Sequence, residues 1–360
     1  MAREATRDAT SVASAGLRAG PRRGSGPTPD CCEMSRLPNP SPVFESFWRF
    51  AAERHAMYQR RLAGLPAPWT DDPVLGEYRF TNAFRASDRV SQYLIRDVIY
   101  AGDADDDVAE VVFRVVLFRL FNKIDTWELL AGEVGPPSLG SFDPVAADRV
   151  LARARSEGRR VYSSAYIIPP RPGWPAPKHA GHLQLAVDLV EDGLTERIKS
   201  TADLRDLFGL LHRVPGLGDF LAYQLAIDLC YSPVVNHDED EFVVAGPGAL
   251  DGLSKVFPGM DLRRAAEVIR ALTEDQDRWF EHFGLVFSGL FGRRLHLIDV
   301  QNLFCEISKY ARVAHPEVAG VAGRTRIKQT FRPLGALPEP FFPPKWGLPT
   351  NTVAPALEAV

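Results

Sequence analysis

Residues 107–123, DVAEVVFRVVLFRLFNK, are apolar almost all the way round. Val111, Val112, Val115, Val116, Phe118 and Phe121 fall on every side of a 3.6-residue helix. Such a helix is stable only when other elements enclose it, so the chain must fold as a multi-helix body with this segment near its centre. Arg114 and Arg119 interrupt the run. It falls short of the roughly 18 apolar residues needed to span a bilayer, and no membrane association is expected. With 360 residues, 45% of them hydrophobic, the chain can bury one large domain or two small ones.

Helical periodicity continues on both sides. Phe44, Phe47, Trp48, Ala51, His55 and Tyr58 recur at steps of three and four. Further helices are expected at about 82–100, 126–132, 144–157, 183–198, 202–212, 219–231, 261–272, 276–287 and 296–313. Short strands are allowed near 161–168 and 242–244. The fold class is therefore mainly all-α: a single helical domain over 41–347, with a Pro-rich loop at 162–182 and an irregular C-terminal arm. Residues 1–40 contain no aromatic residue and are rich in Ala, Gly, Ser, Pro and Arg. They cannot bury enough apolar area to offset their ordering entropy, so a disordered tail is expected there. A second tail is expected at 348–360. Met34 stands just ahead of the helical region, so residues 1–33 read as an upstream extension. The N-terminal arginines lack an apolar segment, which disfavours a signal peptide. Cys31, Cys32, Cys230 and Cys305 form neither a metal spacing nor a disulfide framework. The expected location is the cytoplasm, in association with the nucleoid.

The formal net charge is −4, mildly against a nucleic-acid binder, but the charge is uneven. Nine Lys or Arg face four Asp or Glu between Arg293 and Lys345, and six acids stand without a base between Asp97 and Glu110. A local basic surface on an acidic protein is compatible with DNA.

Residues 201–231, TADLRDLFGLLHRVPGLGDFLAYQLAIDLCY, read as helix, glycine hairpin and helix. In the turn Pro215-Gly216-Leu217-Gly218 the glycines permit positive φ and let a phosphate approach backbone N–H groups. The N-terminus of the next helix adds partial positive charge. Such a hairpin grips a DNA backbone without reading its sequence. A plain helix C-cap in an αα-turn is the alternative. The stretch resembles the helix-hairpin-helix of helical DNA glycosylases. Asp238 lies 23 residues after Pro215, and Pro233 lies five before Asp238, matching the spacing of the glycosylase aspartate. A solvated acidic turn, Asp238 to Glu241, is the structural alternative. The position of the lysine nucleophile of bifunctional glycosylases is Phe220 here, which disfavours a Schiff-base lyase. The resemblance also implies a monovalent cation at the hairpin; no other cofactor and no metal site is read from the sequence.

A wider likeness covers about 42–347. RFTNAFRASDRVSQYLIR (79–96), FVVAGPGALDGL (242–253), DVQNLFCEISKY (299–310), GRTRIKQTFRP (323–333) and FFPPKW (341–346) carry it. The chain resembles the helical domain of 5-hydroxymethyluracil DNA kinases, also described as α-glutamyl/putrescinyl thymine pyrophosphorylases. The resemblance implies DNA base hypermodification, in which an amine or amino acid displaces pyrophosphate from an activated 5-hydroxymethyluracil. No G-x-x-x-x-G-K-[ST] phosphate loop is found in the sequence, so kinase chemistry is not carried over.

That reaction needs an extruded or single-stranded base, a general base, and cations for the leaving group. Asp238 and Asp240 are the candidate catalytic carboxylates. Arg85, Arg89 and Arg96, with Gln92 between them, are expected on one helix face toward substrate phosphate, with Asn82 nearby. Arg324, Arg326, Lys328 and Arg332 are expected along a DNA backbone. Local ion pairs, an Asn82 helix cap and a solvated basic loop are the simpler roles for these groups. Three functions fit the sequence: a base-modifying transferase, a monofunctional glycosylase using Asp238, and a non-catalytic DNA-binding adaptor. The partners would be DNA, duplex or single-stranded, and for the first a small amine or amino acid cosubstrate.

Overall fold

Four aspartates just ahead of apolar segments start four of the helices. Asp72, Asp107, Asp143 and Asp203 each accept a hydrogen bond from a backbone N–H of the following first turn, satisfying a donor the helix cannot. The computed structural model describes residues 37–349 apart from 103–106, 165–167, 171–172, 174–175 and 334. Of the tails expected at 1–40 and 348–360, residues 1–36 and 350–360 lie outside the described residues, while 37–40 and 348–349 are described. Leu37 and Leu348 both pack against the core.

In chain order the α-helices are α1 (Val43–Leu62), α2 (Pro73–Glu77), α3 (Arg89–Tyr93), α4 (Val108–Phe121), α5 (Ile124–Val134), α6 (Pro144–Ser156) and α7 (Lys178–Glu191). They continue with α8 (Leu194–Lys199), α9 (Leu204–His212), α10 (Asp219–Cys230), α11 (Pro247–Val256), α12 (Ala265–Glu274), α13 (Gln276–His282) and α14 (Leu297–Ala314). No strand occurs among the described residues, only the isolated bridges Tyr78–Thr330 and Leu290–Arg293. The strands expected near 161–168 and 242–244 are absent among those residues. Val161 instead gives its carbonyl to the Thr126 hydroxyl, and Phe242 packs against Phe208 and Tyr223.

The apolar segment is central, as its pattern requires. Every residue of α4 from Val111 to Phe121 except Arg114 is buried, and the helix packs against α7, α8 and α10. Three expected helices differ in extent. The 82–100 segment is a 3₁₀ turn (Arg85–Ser87), then α3, then a π-helical turn (Leu94–Ile99). Asp88 breaks it: its carboxylate reaches back to the Asn82 N–H, and its backbone is extended, at ψ 147°. The 183–198 helix starts earlier and is split at Gly193, whose φ is +78°. The 276–287 helix stops at His282, with Gly284 at φ +63° just beyond. Helix α2, short and led by Asp72-Pro73, is not among the helices expected from the sequence.

Helices α11 and α14 make the closest approach. Gly248 faces Cys305 and Gly252 faces the Phe304 carbonyl, where an added Cβ would lie 2.0 Å from that oxygen. Lys255 and Asp251 are sealed into the same contact, with the Lys255 ammonium 2.8 Å from the Ser308 carbonyl and the Asp251 carboxylate accepting from the Ser308 hydroxyl.

Gly252→Ala is expected to destabilise the fold by about 3 kcal/mol, the upper end of overpacking penalties. Gly209→Ala, in α9 with open space around its Cβ, should stabilise by about 0.5–1 kcal/mol. Urea unfolding of the two variants checks the contrast.

Candidate functional site

Helix α10 carries the polar centre of the molecule. Asp228 is fully buried, with Arg85 Nη2 2.7 Å from one carboxylate oxygen and Arg119 Nε donating to the other. Arg85 Nε also donates to Gln224 Oε1 at 2.9 Å, and Arg119 Nη1 to Asn122 Oδ1 at 2.8 Å. The Arg85 guanidinium lies over the Tyr231 ring, 5.3 Å from its centroid. The Arg85 backbone N–H donates to Asp299 at 2.7 Å, and Asp299 closes the N-terminus of α14 through the His296 N–H. Burial pushes the Asp299 carboxyl up, against the pull of His296.

The acidic stretch 238–241 follows α10 and divides into two roles. Asp238 is exposed and accepts the Asp240 N–H at 2.9 Å, a local turn. Glu239 is 7% exposed and pairs with Arg293 at 3.0 Å; burial nevertheless raises its carboxyl above the ordinary range. Asp240 caps α14, accepting the Leu297 N–H at 3.0 Å and facing His296 Nδ1 at 3.0 Å. Burial pushes Asp240 up, but the His296 contact and the Leu297 N–H outweigh it and the net shift is downward. Burial pushes His296 down, and its bond to Asp240 outweighs that, so its net shift is upward.

The C-terminal arm closes this region. Lys345 donates to the Ser232 and Val235 carbonyls at 2.9 and 2.7 Å, just past α10. Trp346 packs edge-on against Tyr231 and lies 3.8 Å beneath the Arg293 guanidinium. The Gln92 side chain pins the arm, donating to Phe341 O at 3.1 Å and accepting from Phe341 N–H at 2.8 Å.

The residues expected to face substrate phosphate are therefore dispersed. The break at Asp88 sends Arg85 inward and leaves Arg89 exposed. Arg96 pairs with its neighbour Asp97, Gln92 anchors the arm, and the Asn82 side chain donates to the Ser87 carbonyl. The common helix face for Arg85, Arg89, Gln92 and Arg96 is corrected accordingly. Between α9 and α10, Pro215 and Gly218 are exposed, Leu217 is buried and Gly216 takes φ +97°, where only glycine is unstrained. Arg324, Arg326, Lys328 and Arg332 are all exposed. Their segment is held by the Arg79–Gln329 and Phe331–Glu77 backbone bonds and by Arg312 on the Arg326 carbonyl. His179 faces Asp148, and His182 bonds to the Tyr162 hydroxyl.

The family described as "5-hmdU DNA kinase, helical domain" matches residues 41–320. The chain belongs to this family. It is similar to a 5-hmdU DNA kinase of Bacillus phage SP10, 25% identical over 281 residues, which are 73% of this chain and 44% of that protein. The chain thus spans under half the length of that relative. No solved structure matches it.

In this 5-hmdU DNA kinase helical-domain member, the matched stretch contains the α9–α10 turn, the Asp228 cluster and the acidic loop. Arg119, Asp228, Glu239, Arg293, His296 and Lys345 were not among the expected site residues. A signal existed for two of them. An arginine within the apolar run VVLFRLF and a lone aspartate in QLAIDLC both announce a buried partner, though not which one.

Asp228→Ala should lose about 3–5 kcal/mol, because two buried guanidiniums are left without a counter-charge; equilibrium unfolding measures it. The His296–Asp240 pair should be fully present below pH 6.5 and fade as pH rises through the raised His296 pKa. On the acid side it should fade below pH 3.8 as Asp240 protonates. A His296→Gln variant whose stability falls as steeply as wild type from pH 6.5 to 8.5 would sink this assignment.

Proposed function

We propose that this chain is a DNA base-modifying domain acting on a thymine derivative that bears an oxygen on its 5-methyl carbon. The observation that carries the reading is the family match over 41–320, which takes in nearly all of the helical body. The similar phage protein is named for action on 5-hydroxymethyl-2′-deoxyuridine in DNA, and the same substrate class is assigned here. The α9–α10 turn supports a sequence-independent grip on DNA, presenting backbone N–H groups at the start of a 12-residue helix. Arg324, Arg326, Lys328 and Arg332, exposed along one segment, supply phosphate contacts that should weaken steeply with salt. Among the described residues no helix is long and apolar enough to cross a membrane.

The reaction we favour is displacement of pyrophosphate from an activated 5-hydroxymethyluracil by an amine. The amine attacks the exocyclic methylene carbon, the C–O bond breaks, pyrophosphate departs and the amine proton passes to a base. Asp238, exposed beside the buried Glu239, is the carboxylate available for that proton. The sequence carries no phosphate-loop pattern, so this reading assigns no phosphoryl transfer to the chain. The spacing from Pro215 to Asp238 favours one second reading, glycosidic cleavage.

Mass spectrometry of nucleosides tests both. Duplex and single-stranded oligonucleotides bearing 5-hydroxymethyluracil or its pyrophosphate ester are incubated with and without amines. The expected product is an amine-bearing nucleoside, reduced about 100-fold in Asp238→Asn. A freed base with no amine requirement would replace the transferase with a glycosylase. DNA binding with no product of either kind would leave an adaptor.

A further inference from the structure

Between α1 and the loop 288–292 lies a cavity of about 140 Å³, lined by His55, Tyr58, Leu62, Phe291 and the loop backbone. An apolar cavity of about 150 Å³ accepts one benzene ring. The space therefore matches one six-membered ring more closely than the fused rings of a purine.

The loop that walls it is held in an unusual form. Leu290 and Arg293 exchange backbone hydrogen bonds at 2.8 and 3.0 Å, so Phe291 and Gly292 form a two-residue hairpin turn. Both take positive φ, +52° and +88°. That turn suits Asn-Gly or Gly-Gly; a phenylalanine in the left-handed region is strained. Strain of this kind persists where the surroundings enforce it, and it clusters at ligand sites. Here Arg293 anchors the turn through Glu239 and Trp346, and Phe342 packs on the Phe291 ring, with centroids 6.0 Å apart. Gly289 cannot carry a side chain, since a Cβ would lie 2.5 Å from the Arg293 carbonyl oxygen.

The polar groups on the walls suit a heteroaromatic ring. His55 contacts the Gly289 carbonyl through Nε2 at 2.9 Å, and burial holds its pKa down at about 4. A neutral ring donating from Nε2 keeps Nδ1 as an acceptor. The Gln59 amide donates to the Ser288 hydroxyl at 2.9 Å beside the opening. Val286, two residues ahead of the exposed Ser288, is an aliphatic side chain 90% exposed. Apolar residues so placed wedge between bases when a duplex is opened.

We infer that this cavity receives a single pyrimidine ring, flanked by the Phe291 and Tyr58 rings, with Val286 entering the space the base leaves in DNA. The inference rests on the DNA-base reading above and names the pocket for that substrate.

Ligand-observed NMR with 5-hydroxymethyl-2′-deoxyuridine and with 2′-deoxyguanosine tests it on the full chain. The pyrimidine nucleoside should bind at least tenfold more tightly than the purine. Leu62→Trp, which fills the cavity, and Ser288→Phe, which closes its exposed mouth, should each weaken the pyrimidine at least tenfold. If Leu62→Trp lowers the melting temperature, the surface variant Ser288→Phe decides. Equal binding of purine and pyrimidine, or pyrimidine affinity unchanged in the variants, overturns the inference. Oligonucleotides modified as well by Ser288→Phe as by wild type would overturn the pocket and leave the proposed function standing. Pyrimidine binding lost in both variants, by a protein that neither binds nor modifies DNA, would keep the pocket and remove the DNA function.

Discussion

A carboxylate with no solvent exposure held between two guanidiniums is costly to assemble and more costly to disturb. Asp228 on α10 is that carboxylate; Arg85 comes from the irregular segment before α3, and Arg119 from α4. In a buried cluster each charge leaves water, and the mutual attraction offsets this only when the geometry is good and the remaining donors are bonded. Gln224 accepts from Arg85, Asn122 from Arg119, and the Tyr231 ring lies against the Arg85 guanidinium. The Arg85 backbone then reaches Asp299, so α10, α4, the Arg85 segment and α14 are locked in one relative placement.

That placement decides which charges remain for a ligand. Arg85 is committed to the core, and Arg96 to Asp97. Glu239 and Asp240 are turned to Arg293 and to the head of α14, while Asp238 and Glu241 stand exposed at either end of the acidic stretch. Arg324, Arg326, Lys328 and Arg332 face solvent along one stretch. A net charge of −4 therefore conceals a chain whose core consumes charge of both signs while Arg324, Arg326, Lys328 and Arg332 stand exposed in one segment. Binding to a polyanion depends on that local field rather than on the sum.

The arm and the loop 285–293 depend on the same framework. Gln92, Lys345 and Trp346 fasten the arm over the end of α10, and Trp346 in turn supports Arg293. Arg293 holds the strained turn that brings Phe291 to the cavity beside α1. A disturbance at Asp228 would thus reach the cavity through packed intermediates, with no residue of the triad lining it.

Much of the architecture could be read directly from the amino-acid order. The apolar circumference of 107–123 demanded a buried central helix, and the periodicity of α1, α9, α10 and α14 located them to within a few residues, because helix formation on an apolar face is a local property. The family likeness was legible in the same way, from 79–96, 242–253 and 299–310. The roles of Arg85, Arg89, Gln92 and Arg96 were not. An even three-to-four spacing places them on one face only if the helix is continuous, and a single carboxylate, Asp88, bonding back to Asn82 breaks it. Nor could order alone separate Asp238 and Glu241 from Glu239 and Asp240, since four adjacent acids look alike until Arg293, His296 and the head of α14 arrive from more than 50 residues away. Long-range partners choose which charges are buried, because the desolvation penalty is offset only by a counter-charge or donor that the fold itself brings into reach.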